Sequence, residues 1–209
     1  MRRTLVCLGI VLLLLPAVAL AQTQMQSASG FEVSASDEVM GNANAPVTLI
    51  QYASPSCPVC AHFHADVFPA IKREYIDSGR VRLVYRLFPL RAQDGDAEKL
   101  ARCAPDYFGF MDVPFRNQDK WDPEFGISDR RAPLLALASS SGLSADKANA
   151  CINDTSQDAR INAVAQEAQS RYHVRGTPTF VIDGVVQPSG YQPADEFGRT
   201  LDAELAKKR

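Results

Sequence analysis

Neither sign of charge is in excess: 22 Lys and Arg stand against 24 Asp and Glu in 209 residues, a net charge of −2. That balance argues against nucleic-acid binding as the main task, which needs a basic patch or stripe. After the first 21 residues no apolar run approaches membrane-spanning length, so the mature chain is expected to be soluble. Internal repeats and long low-complexity segments are also missing, which excludes solenoid and repeat architectures. Cysteine is scarce, with five in the whole chain. What remains is enough for one full core, or a core with a modest insertion.

The first segment reads as a secretory leader. Arg2 and Arg3 form a charged start, Leu5 to Leu15 an apolar stretch, and Ala19-Leu20-Ala21 a small-x-small cleavage site. A signal peptide over residues 1–21 and a mature start near Gln22 are therefore predicted. A retained membrane anchor is the competing reading. Against it, the run is short, Pro16 interrupts it, and no positively charged flank follows. Cys7 has no lipobox before it, and loss of the leader leaves Cys57, Cys60, Cys103 and Cys151. Four cysteines in an exported chain allow three disulfide connectivities. Spacing favours Cys57 with Cys60 and Cys103 with Cys151. The first pair is too close to act as a staple, whereas the second would close a long loop and stabilise by up to roughly 4 kcal/mol.

Patterning then orders the chain. Residues Gln22 to about Gly30 are small and polar, and 22–45 is taken as an N-terminal arm. Pro46 to Tyr52 is a short β-branched run of the buried-strand type. Ser54-Pro55-Ser56 turns it into Cys57-Pro58-Val59-Cys60, with Pro58 at the first helical position. Cys60, Phe63, Val67, Ile71 and Tyr75 recur at helical spacing, and Pro69 should kink that helix. Val81, Leu83, Tyr85 and Leu87 alternate with Arg80, Arg82 and Arg86, a strand pattern that completes a right-handed βαβ unit.

A helical block follows from about Asp94 to Tyr172. In it Ser144 is placed to cap a helix, and Thr155 with Asp158 resembles a capping box. Cys103 and Cys151 both point from helices toward a common apolar centre. Thr179–Ile182, Asp183-Gly184 and Val185-Val186 form a hairpin signal with a type I′ turn, and a helix over about 194–207 closes the chain. The order βαβ, helices, ββα is that of an α/β thioredoxin-like fold with an inserted helical domain. Its parts are 46–93, the insertion 94–171, and 172–209.

A CxxC at a helix start can exchange disulfides, because the helix dipole favours the first thiolate. Ala45-Pro46-Val47-Thr48 leading to Ser56-Cys57-Pro58-Val59-Cys60, with Val174-Arg175-Gly176-Thr177-Pro178-Thr179-Phe180 downstream, resembles the DsbA-like family of exported thiol–disulfide oxidoreductases. The resemblance runs from about Phe31 to the end. It implies a nucleophilic, solvent-facing Cys57, a more buried resolving Cys60, and a cis Thr177-Pro178 bond facing their disulfide. It also implies a monomeric periplasmic oxidase that donates the Cys57–Cys60 disulfide to reduced or unfolded exported proteins. A DsbB-like, quinone-linked membrane partner would reoxidise it. No organic cofactor or metal is required beyond the redox-active pair.

Two positions depart from the best-known members. Val59 replaces a histidine that would stabilise the thiolate, and Gln51 replaces an acidic proton relay beneath the motif. Together they predict a less extreme oxidant whose resolving thiol is deprotonated through water. Other readings stay open. A reductase or isomerase could use the same scaffold, and Thr177 suits one, although the arm before Pro46 is too short for a dimerisation domain. Zinc could take Cys57, Cys60, His62 and His64, but helical spacing turns His62 away from the others. His64 is then expected to be a partly exposed neighbour of the site and His62 a surface residue. Cys103 and Cys151 could instead be a second redox pair or free thiols. Phe115, Trp121 and Phe125 are expected to pack the insertion.

Overall fold

Two strands, β2 (Val47–Ala53) and β3 (Val81–Leu87), run through the middle of the molecule. Every residue of β2 is buried, as befits an apolar, β-branched run covered on both faces. The strands pair in parallel, with Gln51 opposite Tyr85, so the chain between them must cross over the sheet. The crossover contains α1 (Pro58–His62) and α2 (Phe68–Ile71), each followed by a π turn, Phe63–Val67 and Lys72–Ile76. The interruption expected at Pro69 thus takes the form of a π turn before it. Proline cannot donate to the carbonyl four residues back, and the wider turn accommodates that break.

The computed structural model describes residues 32–208. The expected signal peptide and the polar stretch Gln22–Gly30 lie outside the described residues. Within the expected arm the structure forms β1 (Glu38–Met40), which pairs antiparallel with β3. Three residues are too few to show a period, so only the pairing defines this strand. On the other side β4 (Thr179–Ile182) runs antiparallel to β2, and β5 (Val185–Val186) antiparallel to β4. Asp183 and Gly184 join them at φ 46° and 88°, the two positive values that a type I′ turn requires. The sheet order is β1-β3-β2-β4-β5.

Six α-helices lie between β3 and β4: α3 (Ala92–Cys103), α4 (Tyr107–Arg116), α5 (Gln118–Trp121), α6 (Ala132–Ser140), α7 (Ala145–Asn153) and α8 (Ser156–Tyr172). α8 lays Ala168 and Tyr172 on one face of the sheet against Ile50, Tyr52 and Val181. The last helix, α9 (Ala194–Ala206), sets Phe197 and Leu201 with Phe63 and Ile71 against Leu49 and Phe180 on the other. Leu100, Phe110, Trp121 and Leu134 form a further core that is continuous with Cys57 and Cys60. A disulfide between Cys103 and Cys151, 48 residues apart, ties α3 to α7.

Local details sharpen or correct the sequence reading. Ser144 caps α7, its hydroxyl accepting the Lys147 N–H. Thr155 makes no side-chain cap. Instead Asp154 accepts the Ser156 N–H at 2.9 Å, while Asp158 pairs with Lys99 at 2.6 Å. A carboxylate one residue earlier outbids the hydroxyl for a helix N-terminal donor. Phe115 and Trp121 are buried, but Phe125 is 53 % exposed at the end of a 3₁₀ turn, so it does not pack the insertion. Arg86 of β3 is buried. It bonds Asp37 at 2.7 Å, the Tyr52 hydroxyl at 3.1 Å and the Glu32 carbonyl at 2.8 Å, which fastens residues 32–37 to the sheet. No helix among the described residues is long and apolar enough to cross a membrane.

Candidate active site

The site begins where β2 runs out. Cys57 occupies the N-cap of α1 at φ −81° and ψ 118°, with Pro58 following as a first-turn residue. Its N–H donates to the Ser54 carbonyl at 3.0 Å, closing the turn that leads into the helix. Cys57 and Cys60 are free thiols, so the structure is that of the dithiol form. Pro58 and Val59 are exposed between them. Cys60 has no exposed surface, as expected for a residue one turn into a covered helix. Cys57 departs from the solvent-facing expectation and is only 5 % exposed. The reason is tertiary: the loop at Thr177 and the inserted helices close over it.

The two thiols have opposite electrostatics. The Cys57 thiol is lowered from 9.0 to about 6, chiefly because the Cys60 thiol hydrogen-bonds to its sulfur. Burial opposes that effect, and Thr177 and the backbone N–H groups of Cys60 and Val59 add to it. Burial pushes the Cys60 thiol well above its ordinary value, and its bond to Cys57 pushes it the same way. A partly reachable thiolate therefore sits beside a thiol that holds its proton.

The Thr177–Pro178 peptide bond is cis. The Thr177 carbonyl accepts from the Cys57 Sγ at 3.2 Å, bringing together residues 120 positions apart. Thr177 Oγ1 is buried with no other hydrogen-bond partner, and this hydroxyl is the Thr177 group that favours the Cys57 thiolate. Around it, Thr179 Oγ1 donates to the Gly176 carbonyl at 2.8 Å, and the Gly190 N–H donates to the Pro178 carbonyl at 3.2 Å.

Gln51 and His64 meet behind the motif, where Gln51 Nε2 donates to His64 Nε2 at 3.2 Å. His64 is not partly exposed as expected. It is buried, stacks on Phe115 at a centroid distance of 4.0 Å, and is lowered to about 3 by burial and the nearby Arg116, so it stays neutral. α4 covers that helix face, which no pattern within the motif could reveal. His62 is exposed as expected, paired with Asp66 and stacked on Tyr191 at 4.7 Å. The two histidines thus lie on different sides of the helix and do not converge with the thiols on one point.

Two residues at the site escaped sequence reasoning. The carboxylate of Asp94, fully buried in the first turn of α3, accepts from Ser54, Ser56, Leu90 and Arg91. Gln118 of α5 donates to the carbonyls of Pro55 and Cys57. Neither lies near the motif in sequence, and single polar residues in a helical block carry no signal of such contacts.

A family model described as thioredoxin matches residues 34–203. The chain belongs to the thioredoxin family and is DsbA-like. The crystal structure of Wolbachia pipientis alpha-DsbA1 is similar to it with a TM-score of 0.78 and 32 % identity, covering 84 % of this chain and 94 % of that one. A Rickettsia typhi chain with the name "Putative protein-disulfide oxidoreductase" is 32 % identical over 179 residues, 84 % of this chain. The DsbA-like chain described here spans 64 % of that relative's length. Chlamydia trachomatis DsbA, at 19 % identity and a TM-score of 0.70, shares the fold over 82 % of this chain and 93 % of its own.

Proposed function

We propose that this DsbA-like chain is an exported thiol–disulfide oxidoreductase that donates a Cys57–Cys60 disulfide to folding proteins. A substrate thiolate attacks the Cys57 Sγ. The Cys57–Cys60 bond breaks, and its electron pair leaves on the Cys60 Sγ, which takes up a proton because its buried thiol holds one strongly. A second substrate thiolate then attacks the substrate sulfur of the mixed disulfide, and Cys57 departs as a thiolate. The substrate dithiol loses two electrons and the Cys57–Cys60 pair gains them.

The observation that carries this reading is the contrast between the thiols, with Cys57 lowered to about 6 and Cys60 raised. A low-pKa leaving group favours the second step and stabilises the reduced enzyme, so disulfide flows outward to substrate. The Thr177 carbonyl, 3.2 Å from the Cys57 sulfur, offers backbone pairing to an extended substrate strand once the thiol hydrogen is gone. Val59 and Gln51 supply no charge to this site, which supports an oxidant of moderate strength. The leader supports export to the periplasm, and a closed redox cycle requires a two-electron oxidant, a part that the family resemblance gives to a DsbB-like membrane partner.

The test mixes oxidised protein with a reduced, unfolded substrate and separately with a scrambled one. Stoichiometric oxidation of the first is expected. Efficient unscrambling without net oxidation would make the protein an isomerase. Export is checked by sequencing the mature N-terminus, expected at Gln22.

A further inference from the structure

The turn that delivers Cys57 is gripped from two sides by side chains of the inserted helices. On one side the buried Asp94 carboxylate takes five donors: Ser54 Oγ at 2.7 Å, Ser56 Oγ and Ser56 N at 3.0 Å, and the N–H groups of Leu90 and Arg91 at 2.9 Å. On the other, the Gln118 side chain sends Nε2 to the Pro55 carbonyl at 2.7 Å and the Cys57 carbonyl at 3.0 Å. Both residues are buried. Neither is bonded to a sulfur.

We infer that Asp94 and Gln118 are positioning residues for disulfide exchange, holding residues 54–57 so that the Cys57 sulfur meets its stabilising donors and thereby setting how strongly the pair oxidises. The inference rests on the reading of Cys57 as the exchanging thiol. Residues 54–56 belong to no strand or helix, and one backbone bond, Cys57 N–H to Ser54, closes their turn. The Ser54 and Ser56 hydroxyls also meet at 3.0 Å within the turn, and Asp94 and Gln118 supply the hydrogen bonds that reach it from the inserted helices.

Their chemistry is specific. Every partner of Asp94 is a donor, or a hydroxyl able to act as one, so an acceptor-only carboxylate fits and an amide would turn N–H against N–H. Gln118 uses both hydrogens of its amide on two carbonyls, a task no carboxylate could perform. The Cys57 carbonyl that it holds also accepts the Ala61 N–H at 3.0 Å, which starts α1. Hydrogen bonds to a thiolate weaken steeply with distance and angle, so a looser turn leaves the Cys57 thiolate less stabilised. A less stabilised thiolate means a weaker oxidant.

The test compares full-length Asp94→Asn and Gln118→Met with wild type and with Leu134→Ala, a core truncation in the insertion that spares these contacts. Two quantities are read: the Cys57 thiolate titration by ultraviolet absorbance, and the equilibrium with glutathione. Both turn variants are expected to raise the Cys57 titration midpoint by about one unit and to weaken oxidation about tenfold, or about 30 mV. Leu134→Ala should melt earlier without moving either quantity. If Gln118→Met is destabilised yet keeps the wild-type midpoint and equilibrium, its role is merely structural and the inference is overturned. Should Asp94→Asn fail to fold, Gln118→Met and Ser54→Ala decide the matter by the same criterion. A wild-type Cys57 with no thiolate below pH 8 would instead overturn the functional reading and this inference with it.

Discussion

The chain carries two cysteine pairs that differ in almost every respect. Cys103 and Cys151 are 48 residues apart and are bonded across two inserted helices. Cys57 and Cys60 are one helical turn apart and stand as free thiols, the first lowered to about 6 and the second raised by burial. A bridge over a long loop restricts the unfolded chain, whereas a bridge within one turn restricts almost nothing. The short pair is therefore free to open and close without cost to the fold, and its surroundings are arranged to make the opened form stable. The long pair has the opposite qualities. On the proposed reading one protein uses the same bond for chemistry and for structure, and loop length with local electrostatics separates the two uses.

The sharpest way to break this comparison is to swap the outcomes by mutation. Cys57→Ser should reduce disulfide exchange to background in a turnover assay while leaving thermal stability nearly unchanged below about pH 6, where the wild-type thiol is protonated, and Cys60→Ser should accumulate mixed disulfides visible on a non-reducing gel. Retained exchange in Cys57→Ser would make the assignment wrong. Removing the other pair, Cys103→Ala with Cys151→Ala, should cost about 2–4 kcal/mol in denaturant unfolding and leave exchange per folded molecule intact. Loss of exchange with full stability would reverse the roles.

A smaller effect concerns pH. The Cys57 thiol is lowered from 9.0 to about 6, so its ionisation stabilises the folded dithiol protein fully above pH 9, and that contribution fades as the pH falls to about 6. The melting temperature of the reduced protein, relative to Cys57→Ser, should rise with pH across that window. Alkylation at Cys57 should follow the same midpoint. Reaction at Cys60 should lag far behind, because burial keeps it protonated. The smallest expected change comes from Val59→His at an exposed position. A cationic neighbour should lower the Cys57 titration midpoint by up to about one unit without altering reduction of Cys103–Cys151.

Much of the scaffold was legible because it is written in local patterns. β2, β3, the hairpin at Asp183-Gly184 and the helical block all announced themselves through periodicity and turn residues. β1 did not, since three residues have no period and exist as a strand only against β3. His64 was misjudged because its exposure depends on Phe115, 51 residues later, and Phe125 because a 3₁₀ turn carries it outward. Asp94 and Gln118 were invisible for the same reason. Their partners lie at sequence separations of up to 63 residues, apart from the local bonds of Asp94 to Leu90 and Arg91.

By itself the sequence determined the scaffold type and the reactive spacing Cys57-Pro58-Val59-Cys60, because each rests on neighbouring residues and backbone preferences, whereas the placing of Thr177-Pro178 against that motif was implied by the family resemblance. The tertiary structure alone decided how that motif is tuned. Burial of Cys60, the Thr177 carbonyl beside Cys57, and the grip of Asp94 and Gln118 on the preceding turn are contacts made by distant segments. Thiol energetics depend on ångström-scale distances and on exclusion of water, and neither exists until those segments pack.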